Sequence, residues 1–185
     1  MIKLIWAFRS FIYNIFIFDK FGFLGYLGRP IFISGAKNIR VGARVRIFPG
    51  SRLECLGKGR IDIYDNVSIG QRLHVVSSRQ ITIGKNCLLA ENIFIADSDH
   101  SFDISDVPYH SQPLTISETY IGDNCFLGYG AVILAGTHLG SNCVVGAYSV
   151  LRGEYPENSM IVGSPARVIK KFNCLTHTWE NVNAK

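Results

Sequence analysis

From Val41 onward an aliphatic residue returns at every sixth position: Val41, Ile47 and Leu53, then Ile63, Ile69 and Val75, then Ile83, Leu89 and Ile95. After a gap the beat resumes at Ile121, Leu127, Ile133, Leu139, Val145 and Leu151. Neither the 3.6-residue period of a helix nor the two-residue alternation of a strand gives that spacing. The stretch from Ile121 aligns with the stretch from Leu139, so three beats make a longer repeat of 18 residues. Such a beat arises if each hexapeptide supplies one short strand and one turn, and three of them close a triangular coil. Stacked coils then set equivalent aliphatics above one another at about 4.8 Å, with backbone groups pairing from coil to coil. The pattern predicts an all-β chain, a parallel β-helix over residues 34–172. Glycines such as Gly42, Gly84, Gly122 and Gly140 directly follow beat residues, where the chain is expected to turn tightly. Asn66, Asn86, Asn124 and Asn142 stand three positions after a beat residue and tolerate a left-handed backbone. Cys87, Cys125 and Cys143, each four positions after one, read as structural thiols in a slot that takes small side chains such as Ala131 and Ser149.

The beat fails at three places. Four extra residues fall around Gly57-Lys58-Gly59-Arg60 and two around Ser77-Ser78-Arg79, whereas Asp97 to Glu118 interrupts the coil with a long polar segment holding His100, His110 and proline. A long loop thrown out of a rigid solenoid is expected to be functional. Ahead of the repeats, Met1, Leu4, Ile5, Phe8, Phe11, Ile12, Ile15 and Phe16 recur at helical spacing, with Lys3, Arg9, Ser10 and Asn14 on the other side. Residues 1–33 therefore read as an amphipathic helix and connector, and 173–185 as a short carboxyl-terminal tail. The uncharged run between Arg9 and Asp19 is far shorter than the roughly 18 to 20 apolar residues that span a bilayer, and no cleavage site follows. The helix is expected either to pack on the body or a neighbouring subunit, or to lie on a membrane surface.

Composition narrows the partners. A net charge of +5 suits nucleic acid, an anionic membrane or a phosphate-bearing small molecule, and the absence of any nucleic-acid-binding pattern ranks the first low. Five cysteines without a CxxC pair argue against a disulfide framework and against structural zinc, and favour a reducing, cytoplasmic setting.

Three stretches carry a family resemblance: Ala96-Asp-Ser-Asp-His100-Ser ahead of the long loop, the Ile121–Leu151 repeats, and Val162-Gly-Ser-Pro-Ala-Arg-Val-Ile-Lys-Lys171. Over about Ile39 to Phe172 the chain resembles the hexapeptide-repeat acyltransferases, whose fold is a left-handed parallel β-helix, and especially the branch of maltose and galactoside acetyltransferases and surface-polysaccharide O-acetyltransferases. The resemblance implies an acetyl-CoA-dependent O-acetyltransferase with His100 as general base, direct transfer in a ternary complex, and no required metal. A sugar hydroxyl is a poor nucleophile until its proton is removed, which neutral imidazole does near pH 7. A backbone N–H in the groove could then stabilise the tetrahedral oxyanion. Asp97 and Asp99 are candidates to orient the ring or bind the acceptor, and Asn92, Arg72 and Tyr109 to contact it. The resemblance also implies a homotrimer with coenzyme A between subunits, the backbone at Tyr129 and Ala147 meeting its arm and Arg152, Arg167 and Lys170, with Lys171, its phosphates.

His110 is expected to shape the acceptor pocket or to have no role. His74 and His138 are expected at coil corners, and His177 in the tail. The aromatic-rich start, Phe16 to Phe32, looks more like the polysaccharide-modifying enzymes and points to a glycan or lipid-linked acceptor at the cytoplasmic membrane face. The alternatives are an amino-sugar N-acetyltransferase and a non-enzymatic trimeric assembly module, the latter needing neither the long loop nor His100. A zinc-dependent carbonic anhydrase would need three histidines converging from neighbouring subunits, and the close histidine pair expected one coil beyond His100 and His110 is lacking.

Overall fold

A computed structural model describes residues 2–104 and 106–182. Met1 and the side chains of Asn14, Ile15 and Phe16, which belong to the expected helix faces, lie outside the described residues. Helix α1 (Ile2–Phe16) precedes a three-sided solenoid. Each coil gives one strand to each of three parallel faces. The first face runs from Lys20–Phe21 to Glu154–Tyr155, the second starts at Tyr26–Leu27, and the third runs from Phe32–Ser34 to Val150–Leu151. The beat residues stack in register, Ile63 on Ile83 on Ile121 and Val75 on Ile95 on Ile133, and every one of them is buried. Because side chains alternate across a strand, one aliphatic per hexapeptide fills the axis while its neighbour faces out.

The solenoid starts earlier than residue 34. Phe21, Leu27 and Ile33 keep the six-residue beat and form a complete first coil, paired with the second through Lys20↔Arg40, Leu27↔Ile47 and Ile33↔Leu53. The surrounding aromatic and apolar residues mask the beat there. The carboxyl-terminal tail also differs from expectation. Ala166–Asn173 turns back antiparallel on Ser159–Gly163, and Thr178–Asn181 adds a further strand, so a hairpin extends the second face.

The asparagines behave as anticipated: Asn66, Asn86, Asn124 and Asn142 all have φ between 56 and 60°. Their side chains form short ladders, Asn66 Nδ2 donating to Asn86 Oδ1 and Asn124 Nδ2 to Asn142 Oδ1, both at 2.9 Å. The glycines after the beat residues serve a different purpose from the one expected. Their φ is not left-handed; a Cβ on Gly122 would instead lie 2.6 Å from the backbone N of Ser141, so glycine here allows neighbouring coils to close on each other. Cys87, Cys125 and Cys143 are buried, their thiols donating to the carbonyls of Gly122, Gly140 and Pro156 in the next coil. Val45 and Val67 fill the same slot in earlier coils, so it is not confined to small side chains.

Helix α1 packs on the first coils through its more polar side. Trp6 meets Tyr26 and Phe48 at ring separations of 5.5 and 6.1 Å. Ser10, expected among the polar positions, is buried, its hydroxyl accepting from Leu27 N at 2.7 Å and donating to Trp6 O at 2.8 Å. It thereby satisfies a backbone donor that the open end of the stack would leave unpaired. The large apolar side chains point away from the body: Leu4 is 74%, Phe8 67% and Phe11 62% exposed. Among the described residues no helix is long and apolar enough to cross a membrane.

Candidate active site

The long loop leaves the edge between the third and first faces. It opens as a two-stranded antiparallel ribbon, Ser98–His100 against Leu114–Ile116, with His100 opposite Leu114. The ribbon's foot is tied to the solenoid by Ser117 N donating to Asp97 O and Thr119 Oγ1 to Ala96 O, each at 2.8 Å. Further out, Gln112 is buried and holds the loop to itself, accepting from Asp103 N and donating to the carbonyls of Asp103 and Val107. Sequence reasoning missed Gln112, because nothing marks one glutamine in a polar segment.

Asp97 is fully buried. Its carboxylate accepts from Ser77 Oγ (2.7 Å), Ser78 N (2.6 Å) and Arg79 N (2.9 Å). The short excursion at Ser77-Ser78-Arg79 is thus the cradle for Asp97, and the two interruptions of the beat are one construction. So placed, Asp97 reaches neither the His100 ring nor an acceptor in solvent, and its role is to fix the root of the loop. Asp99 faces the other way and pairs with Arg152, which follows the last third-face strand. Arg152, expected to meet cofactor phosphate, is thereby tied to the strand that carries His100. The His100 ring is exposed and makes no hydrogen bond to the described residues, leaving both nitrogens open to a substrate. Tyr109 sits in a 3-10 turn of the loop and is exposed.

Other expected site residues lie on a different edge, between the second and third faces. Arg72 and Asn92 occupy left-handed corner positions there, each with φ 59°. Tyr129 and Ala147 are exposed on the same edge, where Tyr129 packs edge-on against Tyr148 at 5.4 Å. The backbone N–H groups of Gln71, Glu91, Tyr129 and Ala147 donate to no described residue. At the edge between the first and second faces, by contrast, side chains cap the equivalent groups: Asp65 takes Ala43 N, Asp123 takes Lys85 N and Ser141 takes Asp123 N. One edge therefore presents a row of free amide donors at the coil spacing, the complement of an extended amide-bearing chain. Arg167 and Lys170 stand on the hairpin strand Ala166–Asn173, at the carboxyl-terminal end of the second face. A single protomer keeps the His100 edge and the amide edge apart, with the third face between them.

His74 and His138 are not at corners as expected. His74 projects from the third face, with Nε2 3.0 Å from Glu54 Oε1 and its ring edge-on to Phe94. Arg52 engages the same Glu54, and these two partners hold the carboxyl below its ordinary range. His138 projects from the first face and stacks on Tyr120 at 4.8 Å. Burial pushes the Cys55 thiol up to about 12, so it stays protonated. Among the described residues no group of three or more His, Cys, Asp or Glu side chains could hold a metal ion.

The family described as "Bacterial transferase hexapeptide (six repeats)" matches residues 118–153. Over 158 residues, 82% of this chain and 81% of the relative, the sequence is 39% identical to the "Putative lipopolysaccharide biosynthesis O-acetyl transferase WbbJ" of Escherichia coli K12. The chain belongs to the hexapeptide-repeat acetyltransferase family. Among solved structures, this acetyltransferase resembles galactoside acetyltransferase in complex with coenzyme A, with a TM-score of 0.59, 25% identity, and 82% of this chain and 66% of the other covered. It also shares its fold with AntD, an N-acyltransferase from Bacillus cereus in complex with dTDP and 3-hydroxybutyryl-CoA. There the TM-score is 0.77 at 16% identity, over 88% of this chain and 87% of the other. The coil of the acetyltransferase is accordingly a left-handed parallel β-helix.

Proposed function

We propose that the protein is an acetyl-CoA-dependent O-acetyltransferase acting on a sugar hydroxyl of a surface polysaccharide, or of its lipid- or nucleotide-linked precursor, with His100 as general base. The observation that carries this is the unengaged His100 ring on a ribbon braced from both sides, by the buried Asp97 beneath it and by Arg152 on Asp99. A base needs one free nitrogen aimed at the acceptor and a fixed strand beneath it. Acetyl-CoA, when bound, supplies the activated acyl carbon. The free N–H groups of Tyr129 and Ala147 fit the amides of its arm, and Arg167, Lys170 and Lys171 supply positive charge for its phosphates. His100 takes the hydroxyl proton as the acceptor oxygen attacks the thioester carbonyl carbon, and that proton passes to the coenzyme A sulfur as the C–S bond breaks. Tyr109, Arg72 and Asn92 are the candidates for acceptor contact, and the basic, apolar amino-terminal end is suited to peripheral contact at the inner membrane face.

The site is assembled between subunits of a homotrimer in this proposal, since the edge bearing His100 and the edge bearing the free amides do not meet within one chain. In support, the outward rows of the later coils on the two faces flanking the amide edge are apolar: Leu88, Phe126 and Val144 on the second, Phe94, Val132 and Val150 on the third. His100→Ala is expected to lower kcat by roughly 10²–10⁴-fold with little change in KM for acetyl-CoA, measured by thiol release with a panel of nucleotide sugars and lipid-linked glycans. A folded variant that retained the wild-type rate would remove the base assignment. If only acceptors carrying a free amine turned over, the protein would instead be an amino-sugar N-acetyltransferase.

A further inference from the structure

We infer that the amino-terminal end of the solenoid is a docking surface for an anionic lipid bilayer, with the outer face of α1 inserted and the first coils seated on the headgroups. The inference deepens the membrane-side part of the proposed function and does not depend on the identity of the acceptor.

Charge is strongly divided along the stack. Residues 1–60 contain 11 Lys and Arg against 2 Asp and Glu, whereas residues 61–185 contain 8 against 12. A net +9 therefore belongs to α1 and the first two coils, and a net −4 to everything beyond. Such a separation orients a molecule in the field of a negatively charged surface and turns the acidic end away from it. The helix capping this end presents Leu4, Ile5, Phe8, Phe11 and Ile12 to solvent, while its other side is seated on the coil through Trp6, Ser10 and Tyr13. Folding onto its own body thus leaves the more apolar side of the helix uncovered. Beside it, Phe23 and Leu24 at the first corner are 74% and 77% exposed, and they share one open groove with Ala7 and Phe11.

Leu24 is a second, independent sign. Its slot recurs in every coil with a left-handed backbone, occupied later by Arg44, Asn66, Asn86, Asn124, Asn142 and Asn158. Leucine is disfavoured at φ 58°, where asparagine is tolerated. Packing does not account for the leucine, because its side chain stands in solvent. An interfacial helix needs this combination of an exposed apolar stripe and nearby cations.

The test is co-sedimentation of the full chain with phosphatidylcholine vesicles, with and without phosphatidylglycerol, at low and high salt. Binding to the anionic vesicles at least about tenfold tighter than to the neutral ones, and loss of that difference in high salt, are expected. Phe8→Glu with Phe11→Glu should abolish binding, and Leu24→Asn should weaken it without lowering the melting temperature. His100→Ala should bind as wild type, which separates this inference from the catalytic one. Equal sedimentation with neutral and anionic vesicles, or none with either, would overturn it. So would a Phe8→Glu/Phe11→Glu protein that binds vesicles normally but falls apart into smaller species by light scattering, because the helix face would then be an interface between copies of the chain.

Discussion

Asp97 shows how one buried side chain can hold the root of a long loop. One carboxylate accepts three donors, two of them backbone N–H groups of a neighbouring coil, and does so fully buried. Asparagine at this position has one acceptor oxygen in place of two and turns an N–H₂ towards an N–H. Leaving a buried donor without its acceptor costs about 1–3 kcal/mol. At about 2–4 °C per kcal/mol for a chain of this size, Asp97→Asn is expected to lower the thermal midpoint by several degrees, read by calorimetry. It should also lower kcat while leaving the acetyl-CoA KM nearly unchanged, because the strand carrying His100 loses its foot. The sequence placed Asp97 beside His100 but not its direction. That depends on Ser77-Ser78-Arg79, twenty residues earlier and one coil below, whose two extra residues look like noise until Asp97 is seen sitting in them.

Among the elements, the coils were legible in the sequence and the two ends were not. A six-residue aliphatic beat has only one economical structural meaning, so Ile63, Ile69, Val75 and their successors identify strand, face and register together. At the ends the same physics is obscured. Phe21, Leu27 and Ile33 keep the beat but are surrounded by aromatics, and the hairpin after Gly163 trades the hexapeptide period for ordinary antiparallel pairing. For α1 the periodicity was visible, yet it did not tell which side would meet the protein. Ser10 decides that by supplying the acceptor for Leu27 N. The glycines after the beat carry a prediction of their own. In Gly122→Ala the new methyl would stand 2.6 Å from Ser141 N and 2.8 Å from the carbonyl carbon of Gly140, closer than coils one strand spacing apart can yield. Overpacking of this kind costs typically 1–3 kcal/mol or more, and urea unfolding should show the lower midpoint. The same substitution at Gly57, where nothing lies within 4 Å of the added carbon, meets no such neighbour and has only the left-handed φ of 56° to contend with.

The whole molecule carries His100 on one edge and the free amides on another, with apolar outward rows on the later coils of the two faces flanking the second, which gives a concrete expectation for assembly. If a neighbouring subunit brings the free amides of Tyr129 and Ala147 to the His100 ribbon, light scattering at micromolar concentration should report a mass near three chains. Glutamate at Leu88 and Phe126, which stand half exposed on the second face, should dissociate the assembly and abolish transfer together, while circular dichroism stays that of a β-solenoid. A monomer retaining full activity would show that the site is complete within one chain.

The solenoid is also a ruler. Its coils stack at a fixed interval of about 4.8 Å, and the long loop departs from the fourth of them, after Phe94–Ala96. Three intervals separate that coil from the one sealed by Ser10, so the root of the His100 ribbon stands about 14 Å above the amino-terminal end. Counting coils sets this height in whole steps, and no side-chain substitution can adjust it. An enzyme resting on its first coil would therefore reach only acceptors whose sugar is held at that one elevation, and adding or removing an 18-residue turn would change which part of a glycan it can modify.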